Sequence, residues 1–228
     1  SFNLVDMDIW VIIPAYNESD YILRTLESLR YIESIKEIIV VDDGSTDSTY
    51  KLLKPLTYIT LLKKEYNSGK GSAVRHALDH VNNKFVAFLD ADICESASEI
   101  CKLIEYLNQC DKAIIIGKLP APARKGGFGI VKGLSVKCFK VMTSQRVDSL
   151  LSGQRIMPLD FVKSIELPSG FGLEFKITLE AVRKGYKVIE VPVNMRHRET
   201  GRNISGFMHR GKQCIAIIDT MRNELKRL

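Results

Sequence analysis

The sequence predicts an α/β fold, a single domain in which helices flank a mostly parallel central sheet. Short apolar runs alternate with segments of helical periodicity along the first half of the chain, which is the rhythm of parallel strands joined by helical crossovers. Each of these runs ends in a polar loop. The chain has 228 residues, 45% hydrophobic and 26% charged, values typical of one soluble domain that buries a full core.

Apolar and β-branched runs predict four strands in the first half, with amphipathic helices between them. Proline ends the first strand at Pro14, and the first helix places Ile22, Leu26 and Leu29 on one face. In order, the predicted elements are a strand at 8–14, a helix from Ser19 or Asp20 to 29, a strand at 37–41, a helix from Thr46 or Asp47 to 53, a strand at 58–62, a helix ending near 81 and a strand at 85–89.

The second half is less regular but still mixes both element types. Gly185 is well placed to end a helix, and the segment after Gly129 has apolar residues at helical spacing with lysines on its polar side. The predicted elements here are a helix at 99–107, a short strand at 113–116, helices at 129–147 and 174–184, a strand at 186–193 and a helix from about 208 to 228.

The strand at 85–89 ends in two carboxylates one residue apart, Asp90 and Asp92. Such residues emerge at the C-terminal edge of a parallel sheet, where ligands bind in open α/β folds. Side chains at i and i+2 point the same way, so the two carboxylates converge on a site that suits Mg²⁺ or Mn²⁺ together with substrate phosphates. The pattern indicates a metal-dependent enzyme acting on a nucleotide diphosphate substrate. The alternative is a helix cap.

The formal net charge of +6 is unevenly distributed. Residues 118–147 hold seven Lys and Arg and no acidic residue, and residues 183–228 hold eleven basic and four acidic residues. Such segments suit phosphates, an anionic membrane surface or nucleic acid, whereas most charge runs form a solvated face. Five scattered cysteines and an N-terminus without a secretory signal pattern lead us to expect a cytoplasmic protein.

Four loop motifs stand after the predicted strands: Pro14-Ala15-Tyr16-Asn17-Glu18, Val41-Asp42-Asp43-Gly44-Ser45, Gly69-Lys70-Gly71 and Asp90-Ala91-Asp92. In this order and spacing they resemble the family 2 glycosyltransferases over about residues 8–200. The resemblance implies the GT-A fold, a Rossmann-like single domain over 1–228, with a nucleotide-sugar-binding half at 1–117 and an acceptor-binding half at 118–228. It also implies transfer of a hexose from a nucleotide diphosphate sugar, with Mg²⁺ or Mn²⁺ as cofactor; we expect a UDP-sugar.

The resemblance also implies the residues of the donor site. The contacts to the nucleotide base and ribose are Pro14, Tyr16, Glu18, Val41 and Asp43. Lys70 lies near the base or the phosphates, Asp92 is the direct metal ligand with Ala91 beside it, and Asp90 faces the ribose or a metal-bound water. Carboxylates accept hydrogen bonds from such groups, and a divalent ion neutralises charge as the sugar–phosphate bond breaks. The alternatives are a turn at Asp43, a strand stop at Pro14 and a surface charge at Lys70.

Two later segments fall where family members place acceptor-side loops. The first contains Gln154 and Arg155 as predicted acceptor contacts, and the second leads into Glu174, a candidate catalytic base or acceptor orienter. The alternative for Glu174 is electrostatic stabilisation of a helix start. The Glu-Asp acceptor motif usual in the family is not plainly present, so the stereochemical outcome stays open.

Met195-Arg196-His197-Arg198 is similar to the histidine-containing turn of the glucosyl-phosphoglycerate synthases. That resemblance implies His197 as a third metal ligand beside Asp90 and Asp92. The alternative is a solvated histidine among arginines. The basic side chains predicted to contact acceptor phosphate are Arg124, Arg196, Arg198 and Arg202.

The helix at 129–147 stands where dolichyl-phosphate sugar synthases, also relatives, have an amphipathic helix. Its lysines suit the anionic interface of a membrane, so we expect either peripheral binding there or packing on the core or on a second subunit of a homodimer. A polyprenyl phosphate and a small phosphorylated metabolite both remain open as acceptors. A nucleic-acid-binding module and an inactive scaffold of the same fold are the rival functions. We expect no nucleic acid partner, because a nucleic-acid-binding module does not explain the acidic loops.

Overall fold

The structure, a computed structural model, describes residues 8–107, 110, 112–120, 128–170, 172–197 and 218–226. Within these residues seven strands form one sheet. The strands are β1 (Ile9–Ala15), β2 (Ile35–Asp42), β3 (Thr60–Lys63), β4 (Phe85–Phe88), β5 (Ala113–Lys118), β6 (Arg155–Pro158) and β7 (Lys187–Pro192).

The α-helices are α1 (Ile22–Leu29), α2 (Thr49–Leu53), α3 (Lys70–Leu78), α4 (Ile100–Leu107), α5 (Phe128–Thr143), α6 (Leu159–Lys163) and α7 (Leu173–Arg183). A 3₁₀ helix (Cys94–Glu99) leads into α4, and a further helix covers 218–225. In the part of the chain that the structure describes, no helix combines the length and the apolar character needed to cross a membrane.

The sheet has the order β3-β2-β1-β4-β6-β5-β7. Every pairing is parallel except those of β6, which runs antiparallel to β4 and to β5. The predicted single α/β domain with a mostly parallel sheet is therefore confirmed. The chain leaves β1 toward β2 and returns to the other side of β1 as β4, so the C-terminal ends of β1 and β4 flank a topological switch point, where such sheets bind ligands.

Two apolar layers cover the sheet, one on each face. Helices α3, α5 and α7 bury Val74, Phe139 and Phe175 on one face, and α1 and α4 bury Leu26 and Leu103 on the other. All four residues of β4 are buried, and each large apolar side chain so placed contributes about 1.5–3 kcal/mol. The carboxylates that follow β4 therefore extend from a strand whose residues are all buried.

Two elements and several element bounds differ from the predictions; α5, for example, ends at Thr143 rather than near 147. Neither β6 nor α6 was expected, because β6 is four residues long and its pairing with two neighbours, not its own pattern, makes it a strand. The first residue of α1 follows Tyr21 rather than Ser19 or Asp20. Of the helix expected from 208 to 228, the structure describes 218–226 only.

Candidate active site

The loops that follow β1 and β2 are joined by hydrogen bonds at the C-terminal edge of the sheet. The Asn17 N–H donates to Ser45 Oγ at 3.0 Å, and the Thr46 N–H donates to Asn17 Oδ1 at 2.8 Å. The Glu18 N–H donates to Thr49 Oγ1 at 2.8 Å. These bonds make one surface of two loops that are far apart in the sequence.

Lys70, at the start of α3, lies between two carboxylates. Its Nζ is 2.5 Å from Asp90 Oδ1 and 2.7 Å from Glu174 Oε1. Burial by itself lowers the pKa of Lys70, but the charges of Asp90 and Glu174 outweigh this and raise the pKa above its ordinary value. The structure thus joins Asp90, which follows β4, to Glu174, in the first turn of α7, through one charged ammonium. We call Lys70, Asp90 and Glu174 the Lys70 cluster.

Burial and charge act in opposite directions on Asp90. Burial by itself raises the pKa of Asp90, but the Lys70 ammonium, the His197 ring and the hydrogen bonds from Lys70 and Gln154 lower it to about 2. Asp90 is therefore ionised throughout the neutral range. An ionised carboxylate that is partly buried attracts cations strongly.

A close backbone approach at Gly71 brings the loop before α7 to Lys70. The Gly71 N–H donates to Ser169 O at 3.0 Å, and a Cβ at Gly71 would lie 1.8 Å from Pro168 O. Arg75 donates to Leu167 O and to Ser169 Oγ, both at 2.9 Å. Because these contacts fix the loop on the N-terminal turn of α3, Glu174 reaches Lys70. The two glycines of Gly-Lys-Gly were the only sequence signal of this contact.

His197 lies beside the two aspartates, as the sequence predicted. Its Nδ1 is 2.9 Å from Asp92 Oδ1 and its Nε2 is 3.6 Å from Asp90 Oδ2. Burial lowers the pKa of His197, but the hydrogen bond to Asp92 and the charges of both aspartates raise it above its ordinary value. The histidine is therefore in direct contact with Asp92, although its side chain is 39% exposed.

The side chains of Asp92 and His197 offer atoms that suit a divalent cation. A carboxylate oxygen of Asp92 and an imidazole nitrogen of His197 are adjacent, whereas Asp90 receives Lys70 on one oxygen and Gln154 on the other. Among the described residues, no group of three His, Cys, Asp or Glu side chains forms a ready metal site. Asp92 and His197 therefore fit a cation better than Asp90, and Mg²⁺ characteristically takes its remaining ligands from substrate phosphates and water.

The predicted base and ribose contacts lie at the same edge. Tyr16 is 39% exposed, and Pro14 and Glu18 are partly exposed; their role stays a prediction. The Val41 side chain is fully buried in the core. Asp43 is 3% exposed.

The Asp43 carboxylate holds the loop before α3. It accepts hydrogen bonds from the Ser68 N–H and from the Gly69 N–H, the latter at 2.8 Å. It also pairs with Lys64 Nζ at 2.9 Å. Asp43 therefore holds Gly69, the residue before Lys70, in place, and its contact to the nucleotide base or ribose stays a prediction.

Gln154 and Arg155 were predicted to contact the acceptor, but both are fully buried. The Arg155 guanidinium donates to Ser152 O, Leu150 O and Glu174 O, and burial lowers its pKa to about 10 against the attraction of Glu174 and Asp90. An acceptor phosphate would have to displace these carbonyls. Arg155 therefore ties the loop before β6 to α7, which is a structural role.

The remaining predicted residues divide into two groups. Ala91 is 5% exposed, and its carbonyl accepts a hydrogen bond from Thr25 Oγ1 at 2.7 Å. Arg196 is exposed, and its N–H donates to Ser96 Oγ at 3.1 Å. The other three predicted acceptor contacts lie outside the described residues: Arg124, Arg198 and Arg202.

Comparison with known proteins places this geometry in a family context. Residues 10–148 match the family model described as Glycosyl transferase family 2. An uncharacterized protein of Methanocaldococcus jannaschii is 28% identical over 204 residues, covering 82% of this chain and 88% of that protein. The dolichyl-phosphate beta-glucosyltransferase of Saccharomyces cerevisiae is 35% identical over 127 residues, covering 50% of this chain and 38% of that enzyme.

Among solved structures, glucosyl-3-phosphoglycerate synthase from Mycobacterium tuberculosis shares the fold. It superimposes with a TM-score of 0.79 at 20% sequence identity, covering 95% of this chain and 78% of that chain. That structure contains Mn²⁺, uridine diphosphate and phosphoglyceric acid.

Proposed function

The chain belongs to glycosyl transferase family 2, and we therefore propose that it transfers a hexose from a UDP-sugar to a phosphate-bearing acceptor with the help of Mg²⁺ or Mn²⁺. One observation carries the proposal. Lys70 bridges Asp90 and Glu174 at the C-terminal edge of the sheet, with Asp92 and His197 beside them. This arrangement brings three carboxylates, a lysine and a histidine together at the switch point of the sheet.

Each group has a proposed task. Asp92 and His197 hold the divalent cation, which supplies charge neutralisation to the departing nucleotide diphosphate. Lys70 presents a fixed positive charge near the diphosphate, where negative charge grows as the bond to the sugar breaks, and such preorganised charges stabilise the transition state more than the ground state. Glu174 is held by Lys70 on the acceptor side, where its carboxylate orients or deprotonates the acceptor.

The exposed face of α5 favours a polyprenyl phosphate as the acceptor. Leu134 is 47% and Val141 78% exposed, and the lysines on the same helix are exposed as well: Lys132, Lys137 and Lys140. Apolar and basic side chains together are typical of helices that lie in an anionic membrane interface. The name of the yeast relative, a dolichyl-phosphate glucosyltransferase, agrees with such an acceptor. A homodimer stays a prediction.

The donor is tested first by isothermal titration of UDP and of GDP, each with Mn²⁺ and with EDTA. We expect UDP to bind more tightly in Mn²⁺, and no binding of either nucleotide would refute the proposal. A donor screen by released nucleotide then follows, with polyprenyl phosphate, with 3-phosphoglycerate and with neither. Stimulation by the lipid supports the first acceptor, and stimulation by phosphoglycerate supports the small metabolite.

The membrane surface is tested by co-sedimentation with vesicles of anionic and of neutral lipid. Val141→Glu should reduce binding to anionic vesicles, because it removes apolar contact and adds repulsion. The matched control is Leu23→Glu, which changes a 37% exposed leucine on α1. Equal binding of the two variants would contradict the role of α5, and salt-sensitive DNA binding without UDP binding would favour the nucleic-acid module.

A further inference from the structure

We propose that Gln154 is a positioning residue that fixes the direction of the Asp90 carboxylate and thereby keeps Asp92 and His197 available to the metal-bound donor. The inference rests on the proposed function. It concerns a residue whose sequence position suggested the acceptor side but whose two side-chain hydrogen bonds both go to Asp90.

The side-chain amide of Gln154 contacts Asp90 with both of its ends. Its Oε1 accepts a hydrogen bond from the Asp90 N–H at 3.1 Å, and its Nε2 donates to Asp90 Oδ2 at 2.6 Å. Only this orientation of the amide is possible, because a backbone N–H requires an acceptor and a carboxylate requires a donor. Two bonds to one residue restrict the side-chain torsions of Asp90 far more than a single bond would.

Gln154 itself is held rigidly by the antiparallel strand that the sequence did not predict. Phe88 pairs with Arg155 across β4 and β6, which places Gln154 opposite the residues that follow β4. On its other side the Gly117 N–H donates to Gln154 O at 2.8 Å. The amide is fully buried, so water does not compete for its hydrogen bonds.

The two hydrogen bonds between Gln154 and Asp90 determine which cationic side chain the Asp90 carboxylate contacts. With Oδ2 held by Gln154, Asp90 turns Oδ1 toward Lys70 at 2.5 Å, and His197 Nε2 remains 3.6 Å from Oδ2. Without the amide, Asp90 is free to rotate toward the His197 ring and to compete with Asp92 for it. The predicted consequence is weaker metal-dependent binding of the donor, with little effect on contacts to the base.

The test compares UDP binding to wild type and to Gln154→Ala by isothermal titration, in Mn²⁺ and in EDTA. We expect Mn²⁺-dependent affinity to fall about 10–100-fold, the usual effect of removing an outer hydrogen-bond partner of a metal site, and affinity in EDTA to stay within about twofold. A residue that only stabilises the loop would change both affinities together. Ser135→Ala, which removes a buried hydroxyl from α5, is the control and should leave both unchanged.

Gln154→Glu provides a second variant of the same size in case the alanine variant does not fold. It keeps the acceptor for the Asp90 N–H but replaces the donor by a carboxylate, so we expect an equal or larger loss in Mn²⁺. Equal Mn²⁺-dependent affinities of wild type and the folded variants would overturn the inference and leave the proposed function intact. Failure of wild type to bind UDP or GDP would overturn both.

Discussion

Gly153→Ala is the sharpest test of the geometry at the Lys70 cluster. A Cβ at Gly153 would lie 2.4 Å from Asp90 Oδ2 and 2.7 Å from Lys70 Nζ. Non-bonded heavy atoms are best separated by about 3.5 Å, so the Asp90 carboxylate has to move by about 1 Å. The substitution adds one methyl group and removes no hydrogen-bonding atom, which makes displacement of Asp90 its main effect.

The magnitude follows from that displacement. A misplacement of about 1 Å at reacting groups costs about 100-fold in rate, whereas overpacking by a methyl group costs about 1–3 kcal/mol of stability. We therefore expect nucleotide release from the donor to fall about 100-fold in a protein that remains folded. The assays are nucleotide release with the donor found in the screen and a thermal melt of the same sample.

Gly133→Ala is the matched control. A Cβ at Gly133 meets no atom within 4 Å, and the residue lies inside α5, where alanine should add about 0.5–1 kcal/mol of stability. Nucleotide release should not change. If folded Gly153→Ala retained activity within about twofold of wild type, where about 100-fold loss is expected, the position of Asp90 seen here would not matter for the reaction.

Three further substitutions test the metal ligands and the C-terminal helix. Asp92→Asn should reduce Mn²⁺-dependent UDP binding about 100-fold by removing the ligand charge, and unchanged titration curves would remove Asp92 from the metal site. His197→Ala should weaken the same binding at least about 10-fold, with affinity in EDTA as the control; equal Mn²⁺ dependence would return it to a loop role. Glu224→Gln should lower the free energy of unfolding by about 1–3 kcal/mol at neutral pH, because Glu224 is 2.7 Å from Lys176 and 2.6 Å from Arg183. Burial by itself raises the pKa of Glu224, but these two cations keep that pKa below its ordinary value. The stability that Glu224 contributes is therefore lost as the pH falls through its pKa. Urea melts in which wild type and variant differ equally in free energy of unfolding at pH 3 and at pH 7 would contradict this.

Much of the fold was readable from local patterns. The strands β1, β2 and β4 were predicted because buried parallel strands are continuous apolar runs, and such runs need no knowledge of their neighbours. The same reasoning placed Asp90 and Asp92 at the C-terminal edge. The strand β6 was missed, because four residues ending in Pro158 carry no distinctive period and become a strand only between β4 and β5.

The candidate site divides in the same way. The resemblance named Lys70, Asp92 and His197 because each lies in a motif with a recognisable sequence, and the structure places Lys70 against Asp90 and His197 against Asp92. Their roles in the reaction stay predictions. Gln154 and Arg155 were assigned to the acceptor, because sequence position cannot tell a buried polar side chain from an exposed one. Burial and hydrogen-bond partners distinguish the two, and both depend on elements far away in the chain.

The sequence by itself determined the alternation of strands and helices, the acidic pair after β4 and the family to which the chain belongs, because these are properties of consecutive residues. Only the tertiary structure decided that Lys70 joins Asp90 to Glu174 and that both ends of the Gln154 amide form hydrogen bonds with Asp90. Those contacts join residues 20 to 104 positions apart, and their distances are set by how the sheet and the loop before α7 pack together.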